Sequence, residues 1–219
     1  MAKVELSDAI QDYLKELYKL SAAGERATTT ALARRLGVSP PSVTSMIKKL
    51  AELGLVEHTP YHGATLTAAG ERTALEVVRH HRLLEQYLAQ TLGLPLDALH
   101  EEADRLEHAL SEELEAHIDR TLGYPTHDPH GDPIPDANLR IAVGEIRPLA
   151  TLESGDEATI RRVPDDDRDL LRYLTKLRLT PGRRVRVTGI EPFGGPLTVS
   201  VGKSRHPISR ELAGLIGVA

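Results

Sequence analysis

The 219-residue sequence has no cysteine, and its aromatic side chains are limited to six tyrosines and one phenylalanine. The absence of cysteine excludes a disulfide framework and a thiolate metal site. Aromatic and apolar side chains usually line pockets for organic ligands, so we expect no small organic ligand. The first twenty residues, MAKVELSDAIQDYLKELYKL, carry acids throughout, which predicts neither a signal peptide nor a membrane span. We therefore expect a cytoplasmic protein without a membrane partner.

The net charge of −5 is unevenly distributed along the chain. Residues 76–140 hold 5 Lys and Arg against 14 Asp and Glu, whereas residues 1–75 hold 9 against 8 and residues 141–219 hold 13 against 10. The middle segment also contains seven of the ten histidines. Histidine mixed with excess carboxylate is the ligand chemistry that hard and borderline divalent cations need. Composition alone favours a pair of acidic, solvated helices over a metal site, and both alternatives stay open at this point.

The first third of the chain follows the element order of a winged helix-turn-helix. Apolar residues at helical spacing predict a helix over residues 8–21 and a shorter one over residues 28–36. Ser39 followed by two prolines predicts the start of a third helix. Its inward face comprises Val43, Ile47, Leu50 and Leu53. Two short extended runs, residues 55–59 and 64–67, predict a β-hairpin.

The outward face of the third helix predicts a DNA-reading surface. Small hydroxyls near a helix N-terminus can approach base edges in the major groove, and lysines neutralise phosphates. The residues expected in these roles are Ser39, Pro41, Ser42, Thr44, Ser45, Lys48 and Lys49. Arg34 and Arg35 add backbone contacts, while Tyr61 and His62 lie at the tip of the predicted wing. The net charge of residues 1–75 is only +1, so a generic helical hairpin with a solvated polar face is the alternative.

Two longer helices are predicted over residues 68–92 and 96–122. In the second, four ligand-type side chains at relative positions 0, 4, 7 and 8 share one face, namely His100, Asp104, Glu107 and His108. His81 and Glu85 stand four residues apart on the preceding helix, and Asp12 lies on the helix before the DNA-reading element. A solvated or hydrogen-bonded role explains any one of these histidines. Two such clusters in one chain favour metal binding.

Residues 123–139, GYPTHDPHGDPIPDANL, are rich in Pro, Gly and Asp and mark a domain boundary. Beyond them, strands are predicted over residues 158–163, 183–190 and 197–201, with a helix over residues 166–177 between the first two. This pattern predicts a small β-barrel domain. The fold class expected for the whole chain is mainly α with a small β domain.

The chain contains the segments QDYLKELYKL, VSPPSVTSMIKKLAELGLV, RHHRLLEQYL and HEEADRLEHALSEELE. Through them it resembles the diphtheria-toxin-repressor-like family of iron- and manganese-dependent regulators, including its manganese-transport-regulator branch. The resemblance implies a winged helix DNA-binding domain (residues 1–73), a helical metal-binding and dimerisation domain (74–139) and an SH3-like β-barrel (140–219). It also implies a homodimer that binds double-stranded operator DNA and represses transcription with Mn²⁺ or Fe²⁺ bound.

The same resemblance implies two metal sites in each subunit. One would use Asp12, Asp104, Glu107 and His108. The other would use His81, Glu85 and His100, with Asp128 and His130 from the loop and an acid of the run Asp165 to Asp167, taken as Asp165, from the last domain. Iron-responsive members carry Met and Cys at the positions of Asp12 and Asp104, so the carboxylates here favour manganese. Lys15 departs from the manganese branch, in which a Glu ligand is expected there.

Two other function classes compete with a metal-dependent regulator. A winged-helix regulator could respond to an organic ligand, with the acidic helices serving only solubility. A metalloenzyme would also use histidine and carboxylate ligands, and the segment from His100 to Asp104 comes close to a zinc-peptidase motif in which Asp104 replaces the second histidine. An enzyme would leave the DNA-reading element unexplained. A chelator added to a DNA-binding assay separates the three classes.

Overall fold

The computed structural model describes residues 6–59, 63–142 and 144–219, and the chain forms two compact units. The first comprises Met1–His80, Glu107–Leu110 and Pro135–Arg140, and the second comprises His81–Leu106, Ser111–Ile134 and Ile141–Ala219. None of the helices in the described ranges is both long enough and apolar enough to cross a bilayer.

The first unit contains the predicted winged helix-turn-helix. Its elements are α1 (Asp8–Ala22), α2 (Thr29–Leu36), α3 (Pro40–Glu52), β1 (Val56–Thr59) and β2 (Gly63–Leu66). The two strands are antiparallel, with Val56 paired to Leu66. α3 begins where the sequence predicts, because the hydroxyl of Ser39 accepts a hydrogen bond from the backbone N–H of Ser42 at 3.3 Å. Gly37 follows α2 with φ 65°, a left-handed conformation that strains other residues.

The apolar stripe of α1 packs into the same core as α3. Leu14 and Leu17 are at most 2% exposed, and Val43 and Leu50 of α3 are fully buried. Burial of each such side chain stabilises the fold by about 1.5–3 kcal/mol. Leu53, which was expected to face inward, is 47% exposed because α3 ends one residue earlier. The shared core holds α1 against α3.

The prediction of one helix over residues 96–122 is wrong, because the chain breaks in this range. The elements are a 3₁₀ turn (Leu96–Ala98), α5 (Leu99–Leu106), a second 3₁₀ turn (Glu107–Ala109) and α6 (Glu112–Thr121). Ser111 starts α6 anew, since its hydroxyl accepts a hydrogen bond from the backbone N–H of Leu114 at 3.3 Å. The preceding helix, α4 (Ala68–Gln90), is continuous. Glu107 and His108 therefore lie on the 3₁₀ turn that directly follows α5.

The end of the chain forms a six-stranded antiparallel sheet with two helices. The strands are β3 (Arg147–Pro148), β4 (Glu157–Arg162), β5 (Arg184–Ile190), β6 (Leu197–Val201), β7 (Ser204–Ile208) and β8 (Gly217–Val218), and the helices are α7 (Arg168–Leu177) and α8 (Arg210–Leu215). Their order in the sheet is β3-β8-β4-β5-β6-β7. β4, β5, β6 and α7 correspond to the predicted elements. β7 was missed because Pro207 interrupts its pattern, and proline is tolerated there since β7 lies at the sheet edge.

Contacts within the second unit hold this sheet domain against α5 and the loop that contains His130. The backbone N–H of Val163 donates to the carbonyl of His130 at 2.9 Å. Gly131, at φ 93°, approaches β4 so closely that a Cβ would lie 1.7 Å from the carbonyl oxygen of Arg161. Asp97 accepts hydrogen bonds from Arg168 at 3.5 Å and Arg172 at 2.7 Å. These contacts place the start of α7 beside the histidines of the second unit.

Candidate metal centre

Two neighbouring helices of the second unit bring His81, Glu85 and His100 together. His81 and Glu85 are one turn apart on α4, and His81 Nε2 lies 3.1 Å from Glu85 Oε1. Nδ1 of His100, on α5, lies 3.2 Å from the same oxygen of Glu85 and 3.0 Å from His81 Nε2. Glu85 is fully buried and His81 is 2% exposed. The predicted pairing of these three residues is therefore present in the structure.

The loop after α6 adds His130 and Asp128 to this group. His130 Nδ1 lies 3.4 Å from the second oxygen of Glu85, and its Nε2 lies 3.1 Å from the carbonyl oxygen of Leu96. Asp128 accepts hydrogen bonds from the backbone N–H groups of His130 and Asp132, both at 2.9 Å. Asp128 thus shapes the loop, and one of its oxygens also lies within 4.8 Å of ligand atoms of Glu85 and His130.

The acidic run before α7 contributes Asp165. Its Oδ2 lies 3.6 Å from His100 Nδ1. Ligand atoms of His81, Glu85, His100 and Asp165 all lie within 4.8 Å of one another. Asp167 instead caps α7, because its carboxylate accepts the backbone N–H of Leu170 at 2.9 Å. We call Glu85 and the five residues that gather around it the Glu85 cluster: His81, Glu85, His100, Asp128, His130 and Asp165.

The buried charges of the Glu85 cluster perturb one another. Burial would raise the pKa of Glu85, but the charge of His81 and hydrogen bonds from the three histidines hold it well below its ordinary value. Burial would lower the pKa of His130, but the hydrogen bond and charge of Glu85 raise it to about 9. Burial, with the charges of Glu85 and Asp132, raises the pKa of Asp128 well above its ordinary value. Glu85 is thus kept ionised, as a metal ligand must be.

Asp104 lies beside the Glu85 cluster. Its Oδ1 is 3.3 Å from His81 Nδ1, its Oδ2 is 3.7 Å from His100 Nε2, and its side chain is 44% exposed. Asp104 was also expected to act with Glu107 and His108, which lie on the 3₁₀ turn that directly follows α5. Carboxylates beside ligating histidines orient the rings, and this position suits Asp104 to that role.

A second cluster lies in the first unit, where α1 meets the turn Glu107–Ala109. Asp12 Oδ1 is 2.9 Å from His108 Nε2, and Glu107 Oε1 is 3.5 Å from the same nitrogen. Burial raises the pKa of Asp12, and the charges of His108 and Lys15 partly offset that effect. We call Asp12, Glu107 and His108 the Asp12 cluster.

Sequence reasoning missed two contacts of the Asp12 cluster. Gln11 Oε1 lies 3.1 Å from His108 Nδ1. Lys15 Nζ lies 2.6 Å from Glu107 Oε1, and the two side chains are 6% and 0% exposed. The one available signal was spacing, since Gln11 and Lys15 flank Asp12 on α1.

Both clusters fit a divalent cation of the manganese or iron kind. Each offers imidazole nitrogen and carboxylate oxygen within 4.8 Å of one another and no sulfur. Mn²⁺ and Fe²⁺ accept this donor set, as do other first-row ions. The residues present are therefore consistent with the predicted cofactor.

The predicted DNA-reading side chains are all exposed, as a nucleic-acid surface requires. They are Arg34, Arg35, Ser39, Pro41, Ser42, Thr44, Ser45, Lys48 and Lys49. Four of them, including Arg35, also have partners within the first unit. The hydroxyl of Ser39 lies 2.8 Å from that of Ser42, and the hydroxyl of Thr44 donates to the carbonyl of Pro40 at 3.1 Å. Tyr61 and His62, at the predicted wing tip, lie outside the described residues.

Three parts of the chain match known domain families. Residues 5–64 match the iron dependent repressor N-terminal DNA binding domain, residues 67–136 match the iron dependent repressor metal binding and dimerisation domain, and residues 147–219 match the FeoA domain. The iron-dependent repressor IdeR of Mycobacterium leprae is 30% identical over 226 residues, which cover 98% of both chains.

Solved structures give the same result. A manganese-dependent transcriptional repressor in complex with manganese has a TM-score of 0.88 at 39% identity, covering 95% of this chain and 98% of that one. ScaR with bound Cd²⁺ has a TM-score of 0.81 at 33% identity, covering 96% and 98%. A winged helix-turn-helix combined with histidine and carboxylate clusters defines a metal-responsive DNA-binding regulator. The chain belongs to the iron-dependent repressor family, which consists of transcriptional repressors and not of enzymes.

Proposed function

We propose that this protein is a Mn²⁺- or Fe²⁺-dependent transcriptional repressor that binds operator DNA as a homodimer in the cytoplasm and controls metal-ion homeostasis. The observation that carries the proposal is the double role of α1. One face of α1 packs Leu14 and Leu17 into the core that supports α3, while Asp12 contacts His108 at 2.9 Å. The geometry of the Asp12 cluster and the orientation of the DNA-reading helix therefore depend on the same helix.

The chain's own residues suggest how binding is coupled. A bound cation supplies the positive charge that holds the carboxylates of Asp12 and Glu107 together. Asp12 and His108 then join α1 to the turn Glu107–Ala109, and the apolar core transmits the position of α1 to α3. In a homodimer, two α3 helices so held can match successive major grooves. The ordering cost of DNA binding falls, since the binding-competent arrangement is already populated.

The two clusters are assigned as the two metal sites of each subunit. The Asp12 cluster, the Glu85 cluster and Asp104 together contain all the ligands proposed from the sequence. Oxygen and nitrogen donors without sulfur support manganese over softer ions. Residues 1–73 are assigned to DNA binding, residues 74–139 to metal binding and dimerisation, and residues 140–219 to the small β domain that contributes Asp165.

The DNA-reading surface is assigned to the exposed face of α3 and the end of α2. Ser42, Thr44 and Ser45 lie in the first half of α3, where a helix in the major groove contacts base edges. Lys48 and Lys49 follow one turn later and face phosphates in this arrangement. Arg35 contacts Glu16 at 3.2 Å, so its phosphate contact requires that this exposed ion pair be exchanged.

Footprinting of genomic DNA with and without Mn²⁺ tests the proposal. We expect protection of specific sequences in Mn²⁺ that EDTA removes. Protection that is indifferent to EDTA would indicate a regulator that does not respond to metal. Absence of specific protection in both conditions would contradict the DNA-binding role.

A further inference from the structure

The ammonium group of Lys15 contacts a carboxylate oxygen of Glu107, which is a ligand-type atom of the Asp12 cluster. Its ammonium nitrogen lies 2.6 Å from Glu107 Oε1, and both side chains are buried. The same oxygen lies 3.5 Å from His108 Nε2, which lies 2.9 Å from Asp12 Oδ1. The Glu107 oxygen that faces the other ligands is thus already held by a cation that belongs to the chain.

The two carboxylates of the Asp12 cluster can be neutralised by the ammonium group of Lys15 or by a divalent cation, and the two cations compete for this position. Asp12 and Glu107 carry two negative charges, and a divalent cation neutralises both. If Lys15 stayed at Glu107 as well, these groups would hold an excess positive charge away from water, which is costly. Without either cation, the buried carboxylate of Glu107 would lose a neutralising positive charge, which is also costly. One cation at a time therefore satisfies the site.

Lysine is the residue suited to such an exchange. Its charge is a compact ammonium on a flexible four-carbon stem, so it can leave a carboxylate while the stem stays packed. An arginine in the same place would hold the carboxylate through a rigid bidentate fork.

We propose that Lys15 is an internal competitor of the metal ion, which holds Glu107 in the metal-free protein and is displaced from it when the Asp12 cluster is loaded. This inference rests on the proposed function, because it assumes that the Asp12 cluster binds a divalent cation. Displacement of Lys15 costs free energy and therefore weakens metal binding. Lys15 thus sets the metal concentration at which the Asp12 cluster fills.

The test compares Mn²⁺ binding by full-length wild type, Lys15→Met and Lys19→Met, followed by calorimetry and by the electron paramagnetic resonance of free Mn²⁺. Lys15→Met keeps the length of the side chain and removes its charge. We expect it to tighten binding at the Asp12 cluster at least about tenfold, the usual size of a coupling between linked sites. Lys19 lies one turn further along α1 with its nitrogen 4.0 Å from Glu16, and Lys19→Met should leave the affinity unchanged.

Melting temperatures separate competition from a structural role. Competition predicts that Lys15→Met lowers the Tm of the metal-free protein and enlarges the increase in Tm that Mn²⁺ produces. A structural role alone would lower the Tm equally with and without Mn²⁺, and that result would overturn the proposal. Lys15→Gln, whose amide can still donate to Glu107, should also bind Mn²⁺ more tightly than wild type. It replaces Lys15→Met in the test if that variant does not fold.

His108→Ala distinguishes failure of this inference from failure of the site. If His108→Ala removes one phase of Mn²⁺ binding and Lys15→Met leaves that phase unaltered or weaker, the competition is contradicted while the metal site stands. If His108→Ala leaves every phase intact, the Asp12 cluster is not a metal site, and the inference fails with that part of the proposed function.

Discussion

The side-chain carbonyl oxygen of Gln11 lies 3.1 Å from Nδ1 of His108. The orientation of the Gln11 amide is determined by its nitrogen, which donates to the carbonyl of Leu6 at 3.1 Å. Gln11 therefore accepts the Nδ1 proton, and Nε2, which is hydrogen-bonded to Asp12 at 2.9 Å, is the nitrogen of His108 that would face a cation. Partners of this kind orient a ligating imidazole and raise its basicity.

Replacement of Gln11 by Ala should weaken Mn²⁺ binding at the Asp12 cluster about 10–100-fold, because the imidazole loses its orienting acceptor. Calorimetric titration of the full chain measures the effect. Gln90→Ala is the matched control, since Gln90 lies exposed at the end of α4 and contacts Gln86. Equal Mn²⁺ affinities in wild type and Gln11→Ala would show that Gln11 does not orient His108.

Glu107 and His108 should respond differently to replacement by Ala, although both changes should abolish Mn²⁺-dependent operator binding. Glu107→Ala removes the carboxylate that contacts the buried ammonium of Lys15 at 2.6 Å and should lower the free energy of unfolding by roughly 3–5 kcal/mol. His108 lies beside the Lys15–Glu107 ion pair and is not a member of it. His108→Ala should therefore leave the metal-free dimer nearly as stable as wild type. Urea unfolding and electrophoretic mobility shift at limiting Mn²⁺ measure the two effects. Operator binding by His108→Ala at wild-type Mn²⁺ concentrations would contradict the assignment.

Lys48→Ala should weaken binding to all DNA sequences alike and reduce the salt slope of the affinity by about 1, because one phosphate contact is lost. Ser42→Ala and Ser45→Ala should instead change which sequence is preferred. Lys176→Ala, an exposed lysine of α7, is the control for loss of one positive charge. A change in sequence preference for Lys48→Ala with the salt slope intact would mean that this side chain faces bases and not the backbone.

The three adjacent acids before α7 should give three different results. Asp165→Ala should lower the Mn²⁺ affinity of the Glu85 cluster, because its carboxylate lies 3.6 Å from His100. Asp167→Ala should leave that affinity intact and cost about 1 kcal/mol of stability through loss of the α7 cap. Asp166→Ala should change neither and is the matched control. Parallel Mn²⁺ titrations and urea unfolding test this, and identical Mn²⁺ curves for all three variants would exclude Asp165 as a ligand.

The DNA-reading element could be predicted in detail because its signals are local. The Ser39 cap, the left-handed Gly37 and the apolar spacing of Val43, Ile47 and Leu50 each act within one or two turns of the chain. Such signals depend little on the rest of the fold. The interruption of the helix between residues 106 and 112 was harder to predict, because helix-forming residues continue through it. There, a buried contact of Glu107 and the cap at Ser111 outweigh local helix propensity.

The sequence by itself determined the types of ligand, since it holds no cysteine and concentrates histidine and carboxylate in its middle segment. It also predicted the winged helix-turn-helix, because caps and periodicity are properties of neighbouring residues. Only the tertiary structure decided which ligands meet. It set Asp165 and not Asp167 beside His100, placed Asp104 beside His81, and paired Lys15 with Glu107, which is 92 residues away. Helical spacing could not reveal these pairings, because contacts between distant segments arise from how elements pack, and packing is decided by the whole core at once.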